Sequence, residues 1–317
     1  MSDNCIQVQV KDLKKYFTFH KKETLKAVDG INLSIERGVI FGVVGESGCG
    51  KSTLGKCITR LFDITSGQVI FEGSDISYQR RREILPQLRQ MQMIFQNPFS
   101  SFNPKLKLIY QVREVCRLYG MDDSRIESRI DEFLGHISLT RDELGRFPHE
   151  LSGGQLQRLA IARALLLEPS FIIADEPVSS LDVSVQAQIL NLIMNLRKFY
   201  KMTILFISHD MTVIEHVCDE VVIMYLGTVV ETGKTADVFS NLLHPYSQAL
   251  MSAIPVVDPL KERTDRIILS GDIPTAVNIP SGCRFSPRCP RCNEKCSRVQ
   301  PDLVEIQPGH SVACHLY

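Results

Sequence analysis

The chain has 317 residues, of which 44% are hydrophobic and 23% charged, and its 36 Lys and Arg balance its 36 Asp and Glu. This length allows a large buried core and more than one domain, and the composition is that of an ordinary globular protein. A formal net charge of zero gives no reason to expect binding to nucleic acid. The N-terminal sequence lacks the apolar segment of a signal peptide, and no apolar run is long enough to cross a bilayer, so a cytoplasmic location is expected.

A glycine-rich loop follows the first strongly apolar segment. Residues 39–53 read VIFGVVGESGCGKST and match G-x-x-x-x-G-K-[ST] between a predicted strand and a predicted helix. The glycines let successive N–H groups face a polyphosphate, and the helix adds its positive N-terminal end. Lys51 would reach the β and γ phosphates, Ser52 would bind Mg²⁺ and Thr53 would contact the α phosphate. The residues expected to bind ATP here are Gly45, Ser47, Gly48, Cys49, Gly50, Lys51, Ser52 and Thr53.

A capped helix is predicted after residue 151. The sequence LSGGQLQRLAIARALLLEP (151–169) places Ser152 three residues before Gln155, which is the capping-box pattern. Taken alone, this pattern predicts only a helix N-terminus.

Two predicted strands end in polar residues. FIIADEP (171–177) ends at Asp175 and Glu176, and ligands of parallel sheets bind beyond the carboxyl ends of strands, so these side chains suit Mg²⁺ and the attacking water, respectively. TILFISHD (203–210) is a β-branched strand followed by His209, which would reach a γ phosphate. The segment 183–200 between them has helical apolar spacing, and this alternation predicts an α/β core.

The combination of phosphate loop, LSGGQ and acidic strand end resembles the ATP-binding subunits of ABC transporters. The resemblance implies an α/β P-loop NTPase fold, with a RecA-like core, a β subdomain and a helical subdomain. It also implies a head-to-tail dimer in which each signature segment completes the partner's ATP site. Its further implied site residues are Gln96 (Q-loop, catalysis and Mg²⁺), Asp175 (Mg²⁺), Glu176 and His209 (catalysis), Asp182 (D-loop), Ser152, Gly153, Gly154 and Gln155 (signature), and Phe17, with Tyr16 as the alternative, for adenine stacking.

Segments outside these motifs resemble one branch of the family. NPFSSFNPK follows Gln96, FPHE precedes the signature, and HPYSQALMSAIP lies beyond the core; together they resemble the ATPases of dipeptide and oligopeptide importers, a group that includes nickel importers. The implied partners are a second ATPase subunit, two transmembrane permease subunits and an extracytoplasmic solute-binding protein. The implied location is the cytoplasmic face of the membrane. A soluble ABC-type ATPase acting on DNA or ribosomes is the rival hypothesis, but such proteins usually have paired cassettes or a long coiled coil.

The tail is rich in cysteine. Residues 281–296 read SGCRFSPRCPRCNEKC, and this spacing alone leaves disulfides, zinc, iron–sulfur and chance open. The resemblance implies a [4Fe–4S] cluster on four thiolates, with zinc as the alternative for the same sulfurs and Cys292 outside the group pattern. The implied ligands are Cys283, Cys289, Cys296 and Cys314.

Three regions are expected from these motifs. Residues 1–97 and 158–235 would form the nucleotide-binding core, and 98–157 the helical signature subdomain. Residues 236–317 would form the small cysteine-rich C-terminal extension, with a linker at 255–266.

Overall fold

The computed structural model describes residues 6–19, 23–254, 267–269 and 275–317. The linker expected at 255–266 lies outside the described residues. The chain forms two compact units, one of residues 1–78 with 208–317 and the other of residues 79–207. The domain boundaries expected from the sequence remain a prediction.

The strands are numbered in chain order. They are β1 (Ile6–Thr18), β2 (Thr24–Glu36), β3 (Ile40–Val44), β4 (Ser66–Phe71), β5 (Ser74–Asp75), β6 (Met91–Ile94), β7 (Phe171–Asp175), β8 (Thr203–Ser208), β9 (Glu220–Tyr225), β10 (Thr228–Lys234), β11 (Val304–Gln307) and β12 (His310–Val312).

The α-helices follow the same numbering. They are α1 (Lys51–Ile58), α2 (Leu85–Gln90), α3 (Leu108–Leu118), α4 (Asp123–Ile137), α5 (Arg141–Leu144), α6 (Gly153–Leu165), α7 (Val183–Tyr200), α8 (Met211–Val217), α9 (Thr235–Ser240), α10 (Pro245–Ser252) and α11 (Glu294–Arg298). Short 3-10 turns occupy Phe99–Ser101, Pro148–Glu150 and Ser286–Arg288.

The first unit contains two groups of strands. An antiparallel sheet runs in the order β2-β1-β4-β5, and a second group runs β11-β12-β10-β9-β3. Strand β2 buries Ile31, Leu33 and Ile35 and exposes the residues between them, which is the period-two pattern of a sheet with one covered face. Strand β3 is buried along its whole length and pairs in parallel with β9. The phosphate loop therefore begins at the end of a fully buried strand.

The C-terminal hairpin β11–β12 adds to β10 in this unit. Its anchor is a fully buried pair, in which His310 Nε2 lies 2.9 Å from the Glu231 carboxylate. The same carboxylate accepts the backbone N–H groups of Leu243 (2.7 Å) and His244 (3.0 Å). A buried carboxylate requires such partners, because desolvation without them would be costly.

The second unit contains the parallel strands β8-β7-β6 and most of the helices. Strands β7 and β8 are continuous buried runs, as expected for strands covered on both faces. Helix α7 confirms the helix predicted at 183–200, and it buries Ile189, Ile193 and Leu196 at helical spacing. Among the described residues, no helix is long and apolar enough to cross a membrane.

Candidate functional site

The phosphate loop connects β3 to α1 in the first unit. The Lys51 side chain is buried, and its ammonium donates to the carbonyl oxygens of Gly45 (2.7 Å) and Glu46 (3.0 Å). Gly50 has φ +106°, and a Cβ there would lie 2.0 Å from the Ala27 carbonyl oxygen. Only glycine fits so close an approach of two backbones. The loop is therefore held in one path around the lysine that the sequence predicts as the phosphate ligand.

The other predicted phosphate-binding residues lie around this lysine. Ser47 and Gly48 are exposed at the tip of the loop, and Ser52 and Thr53 are half-buried in the first turn of α1. Cys49 is buried, with Sγ 3.9 Å from Lys51 Nζ, and burial raises the pKa of its thiol. The exposed tip leaves room for a polyphosphate, while the thiol stays neutral beneath it.

Two aromatic residues near the start were predicted as alternatives for adenine stacking. The Phe17 ring meets Phe62 edge-on at 5.6 Å, with the Lys15 ammonium 4.8 Å from its centroid. The Tyr16 hydroxyl donates to the Asp29 carboxylate, and burial followed by this hydrogen bond raises the pKa of Tyr16 to about 12. Both rings are half-buried, and the choice of Phe17 remains a prediction.

The second unit brings Gln96 and Glu176 together. Gln96 Nε2 donates to the Glu176 carboxylate at 2.7 Å and lies 3.4 Å from Ser179 Oγ. Glu176 directly follows β7, and its N–H donates to the Ile207 carbonyl oxygen at 2.9 Å. Asp175, the last residue of β7, is 4% exposed. The predicted Q-loop glutamine and the predicted base are thus hydrogen-bond partners, and Ser179, from the predicted D-loop segment SSLD (179–182), lies beside them.

The signature segment begins α6 in the second unit. Ser152 Oγ accepts the Gln155 N–H at 3.3 Å, and Gln155 Oε1 accepts the Ser152 N–H at 2.9 Å, so the predicted capping box is confirmed. Ser152 is exposed, and Gly153 and Gly154 are half-buried in the first turn. An exposed serine at a helix N-terminus suits a phosphate that approaches from outside the chain.

Asp182 and His209 occupy different units. Asp182 caps α7 and accepts the Val185 N–H at 3.0 Å and the Ser184 hydroxyl at 2.8 Å. These hydrogen bonds lower the pKa of Asp182, so the carboxylate stays ionised. His209 is exposed immediately after β8, in the first unit.

The tail cysteines interact with one another. The Cys283 N–H donates to the Cys296 carbonyl oxygen at 2.7 Å. Burial and, to a smaller extent, the thiols of Cys296, Cys314 and Cys289 raise the pKa of Cys283 to about 11, whereas Cys292 is exposed. Within the described part of the chain, no group of three or more His, Cys, Asp or Glu side chains is arranged to hold a metal ion. The donors are gathered in one region, but they do not form a ready single-ion site.

Two arginines of the tail lie outside the set of predicted site residues. Arg284 and Arg288 lie inside the quoted run CRFSPRC, and both are 7% exposed. Arginine is rarely so buried without a paired acid, but the sequence does not show which acid it meets. Their partners are Asp29 and Glu46 of the same unit.

Comparison with known proteins agrees with these motifs. The family model described as ABC transporter matches residues 28–179, and the model described as oligopeptide/dipeptide transporter, C-terminal region, matches residues 230–296. A Bacillus subtilis protein described as a putative oligopeptide transport ATP-binding protein, YkfD, is 46% identical over 98% of this chain and 95% of that protein. The chain belongs to the ABC transporter family. Further ABC relatives are the oligopeptide transport ATP-binding proteins AppF of Bacillus subtilis (44% identical; 98% of this chain, 97% of that protein) and OppF of Haemophilus influenzae (40% identical; 98% and 94%).

Solved ABC cassettes share the fold. The structure of cbiO1 from Clostridium perfringens has a TM-score of 0.65 and 28% identity, and the match covers 74% of this chain and 91% of that one. The dimeric cassette MJ0796 bound to ADP and phosphate has a TM-score of 0.66 at 28% identity, over 72% and 98% of the two chains. The fold prediction is therefore confirmed, and this ABC subunit is an ATP hydrolase with ATP and Mg²⁺ as its expected ligands.

Proposed function

We propose that this chain is the ATPase subunit that drives import of dipeptides or oligopeptides through a membrane transporter. The observation that carries the proposal is the match of residues 230–296 to the C-terminal region of oligopeptide and dipeptide transporters, joined to an ABC cassette in one chain. The names of the relatives, which align over nearly the full length, support the same substrate class.

The ATP-site roles follow the ABC family. Lys51 binds the β and γ phosphates, Ser52, Gln96 and Asp175 bind Mg²⁺, and Glu176 activates water. Two local contacts support these roles: Lys51 lies inside the glycine loop, and Glu176 accepts the Gln96 amide. His209 contacts the γ phosphate.

The partners are two permease subunits and a second ATPase, together with an extracytoplasmic solute-binding protein, at the cytoplasmic face of the membrane. A paralogue is proposed as the second ATPase. Ser152, Gly153, Gly154, Gln155 and Asp182 then face the partner's nucleotide, for which the exposed Ser152 at a helix N-terminus is the physical basis. ATP closes this dimer and hydrolysis releases it.

We further propose that Cys283, Cys289, Cys296 and Cys314 hold a [4Fe–4S] cluster. Four thiolates are the ordinary ligand set of such a cluster, and Cys283 lies close enough to Cys296, Cys314 and Cys289 for their charges to interact. Zinc is the alternative for the same four sulfurs. The cluster, when bound, supplies cross-links that stabilise a tail with little apolar sequence.

The ATP site is tested by Lys51→Ala in the full-length protein. Loss of the ammonium removes the phosphate ligand, so we expect binding of a fluorescent ATP analogue to weaken at least about 100-fold, the loss expected for several charge-assisted hydrogen bonds. Lys56→Ala, in the same helix α1, is the matched control and should bind as the wild type does. Unchanged affinity in Lys51→Ala would contradict the proposed site.

The transport role is tested by isolating the native complex and identifying its components by mass spectrometry. Recovery of two membrane permeases and a second ATPase is expected. Recovery with nucleic acid or ribosomes, and without permeases, would support the rival hypothesis instead.

A further inference from the structure

The tail segment between two predicted cluster ligands packs on the nucleotide-binding part of the first unit. Residues 283–289 read CRFSPRC, and Arg284, Phe285 and Arg288 are each 7% exposed or less. The Phe285 ring lies 5.3 Å from Tyr225 and 5.4 Å from Tyr246. Arg284, Phe285 and Arg288 are therefore part of the core of this unit, although they lie in the cysteine-rich tail of the sequence.

Arg288 forms a two-pronged ion pair with the phosphate loop. Its Nη1 and Nη2 atoms donate to the two carboxylate oxygens of Glu46, at 2.8 and 3.0 Å, and Nη1 lies 3.4 Å from the Tyr225 hydroxyl. Glu46 is the residue after Gly45 in the loop, and its carbonyl oxygen accepts Lys51 Nζ at 3.0 Å. One residue thus connects the tail guanidinium to the phosphate-binding lysine.

The backbone of Glu46 is fixed by a second buried group. Its N–H donates to the Tyr246 hydroxyl at 2.8 Å, and Tyr246 is fully buried in α10. The Tyr246 ring lies 4.7 Å from Tyr225, in the same aromatic cluster as Phe285. Glu46 can therefore shift only if the tail segment or this cluster shifts with it.

Arg284 makes the corresponding contact with β2, which pairs with the strand that carries Tyr16. It donates to the Asp29 carboxylate and to the Leu226 carbonyl oxygen, and Asp29 also accepts the Tyr16 hydroxyl. Burial alone would raise the pKa of Asp29, but the bonds from Tyr16 and Arg284 outweigh it and lower the pKa. The next residue after Leu226, Gly227, donates its N–H to the Cys49 carbonyl oxygen at 2.8 Å. Arg284 therefore supports the region of Tyr16, the alternative residue for adenine stacking, and Arg288 supports the phosphate loop.

We infer that Arg288 is a positioning residue for the phosphate loop. We further infer that binding of Cys283 and Cys289 to the proposed cluster controls how firmly Arg288 holds Glu46. The inference rests on the proposed binding of ATP at Lys51. Cys283 directly precedes Arg284 and Cys289 directly follows Arg288, so release of these two thiolates from the proposed cluster would free both ends of the segment. A bidentate guanidinium pair tolerates little displacement, and its loss lets the carbonyl partner of Lys51 move.

The first test measures equilibrium binding of a fluorescent ATP analogue to the full-length protein. Arg288→Ala is expected to raise Kd about tenfold, within the usual range of coupling between linked sites. Arg291→Ala, an exposed arginine two residues beyond Cys289, is the matched control and should leave Kd unchanged. In the assembled transporter, Arg288→Ala should raise KM with little change in kcat, because Glu176 is not altered.

Charge reversal separates positioning from folding. The double variant Glu46→Arg with Arg288→Glu should bind the analogue more tightly than Arg288→Glu alone, because it restores an ion pair at the same place. If Arg288→Ala fails to fold, Glu46→Gln replaces it, with a smaller rise in Kd expected. Wild-type affinity in Arg288→Ala or in its replacement would overturn the inference, whereas a wild-type protein that binds no ATP analogue would overturn the proposed function.

The second test addresses the cysteines. Cys283→Ser combined with Cys289→Ser should raise Kd, and adding Arg288→Ala to this variant should raise it little further, because both changes act through Glu46. Cys292→Ser is the control, since Cys292 is exposed and outside the proposed ligand set. Full additivity of the cysteine and arginine effects, or no effect of the cysteine pair, would overturn the link between the tail and the phosphate loop.

Discussion

The backbone conformation of Glu176 determines where its carboxylate lies. Its φ of +46° lies in the left-handed region, which a non-glycine residue adopts at a cost of about 1–3 kcal/mol unless its surroundings fix it. Here the N–H is held by the Ile207 carbonyl oxygen, and the side chain accepts the Gln96 amide. The turn at the strand end thus holds the carboxylate against Gln96, which suits the proposed role of Glu176 in activating water.

Glu176→Gln is expected to slow ATP hydrolysis by at least about 100-fold in the assembled transporter, the usual contribution of a general base. Binding of the ATP analogue should persist, because glutamine keeps the size of the side chain, and the ATP-bound dimer should accumulate. Phosphate release and size-exclusion chromatography measure the two effects, and Glu215→Gln on the exposed face of α8 serves as the control. Undiminished turnover would remove Glu176 from the base role.

Residue identities in the site were predictable wherever the chemistry is local. The glycines and lysine of the phosphate loop around Lys51 are close together in the sequence, and so are Ser152 and Gln155 of the capping box. Both motifs can therefore be read from a single sequence. The pairing of Arg288 with Glu46 could not be predicted, because its members are 242 residues apart. Nothing in either local sequence specifies the other partner.

At the scale of elements, the helices of the second unit show the most direct link from pattern to structure. Helix α4 buries Ile126, Ile130, Phe133, Leu134 and Ile137 at spacings of three and four, and Asp122 caps it by accepting the Arg125 N–H. Periodicity predicts such helices well. It predicts β1 less well, because its pairing with β2 is interrupted by register shifts that depend on both strands.

An ion-pair network ties α4 to its neighbours and makes their stability depend on pH. Hydrogen bonds first from Arg113 and then from Arg141 lower the pKa of Glu127 to about 2. A depressed folded-state pKa contributes stability above the unfolded value of 4.5, and the contribution is lost as pH falls from there through about 2. Because the side chains are about one-third exposed, solvent screening limits the contribution to about 0.2–1 kcal/mol for each pair.

Glu127→Gln is therefore expected to lower the free energy of unfolding by about 1 kcal/mol at pH 7. The difference from the wild type should shrink as pH falls below about 4.5 and vanish near 2. Urea unfolding at a series of pH values measures it, with Glu114→Gln on α3 as an exposed control. A difference that stays constant down to the lowest pH would show that the network contributes through packing and not through charge.

At the scale of the whole molecule, the tail belongs physically to the first unit. Residues 208–317 and 1–78 form one compact body, and the tail arginines contact acids of the N-terminal segment. The family resemblance predicted a cysteine-rich extension after residue 235, but not its packing against the phosphate loop. That packing depends on long-range contacts that neither composition nor periodicity encodes.

If the proposed [4Fe–4S] cluster is bound by the four thiolates, protein purified without oxygen will be brown, with broad absorbance at the blue end of the visible spectrum and iron and sulfide in equal amounts. Cys283→Ser with Cys296→Ser should lose the colour, and Cys292→Ser should keep it. Elemental analysis provides the decisive measurement. Colourless protein with one zinc per chain would replace the iron–sulfur assignment.

The buried contact between Glu231 and His310 has a consequence for biosynthesis. Glu231 precedes His310 by 79 residues in the chain, so it leaves the ribosome long before His310 can reach it. Until then the nascent sheet contains a carboxylate without its final partner, and burial of that charge is unfavourable. Residues 79–207 are contiguous and can mature during translation, whereas the body that carries the phosphate loop completes its fold only once His310 has been synthesised.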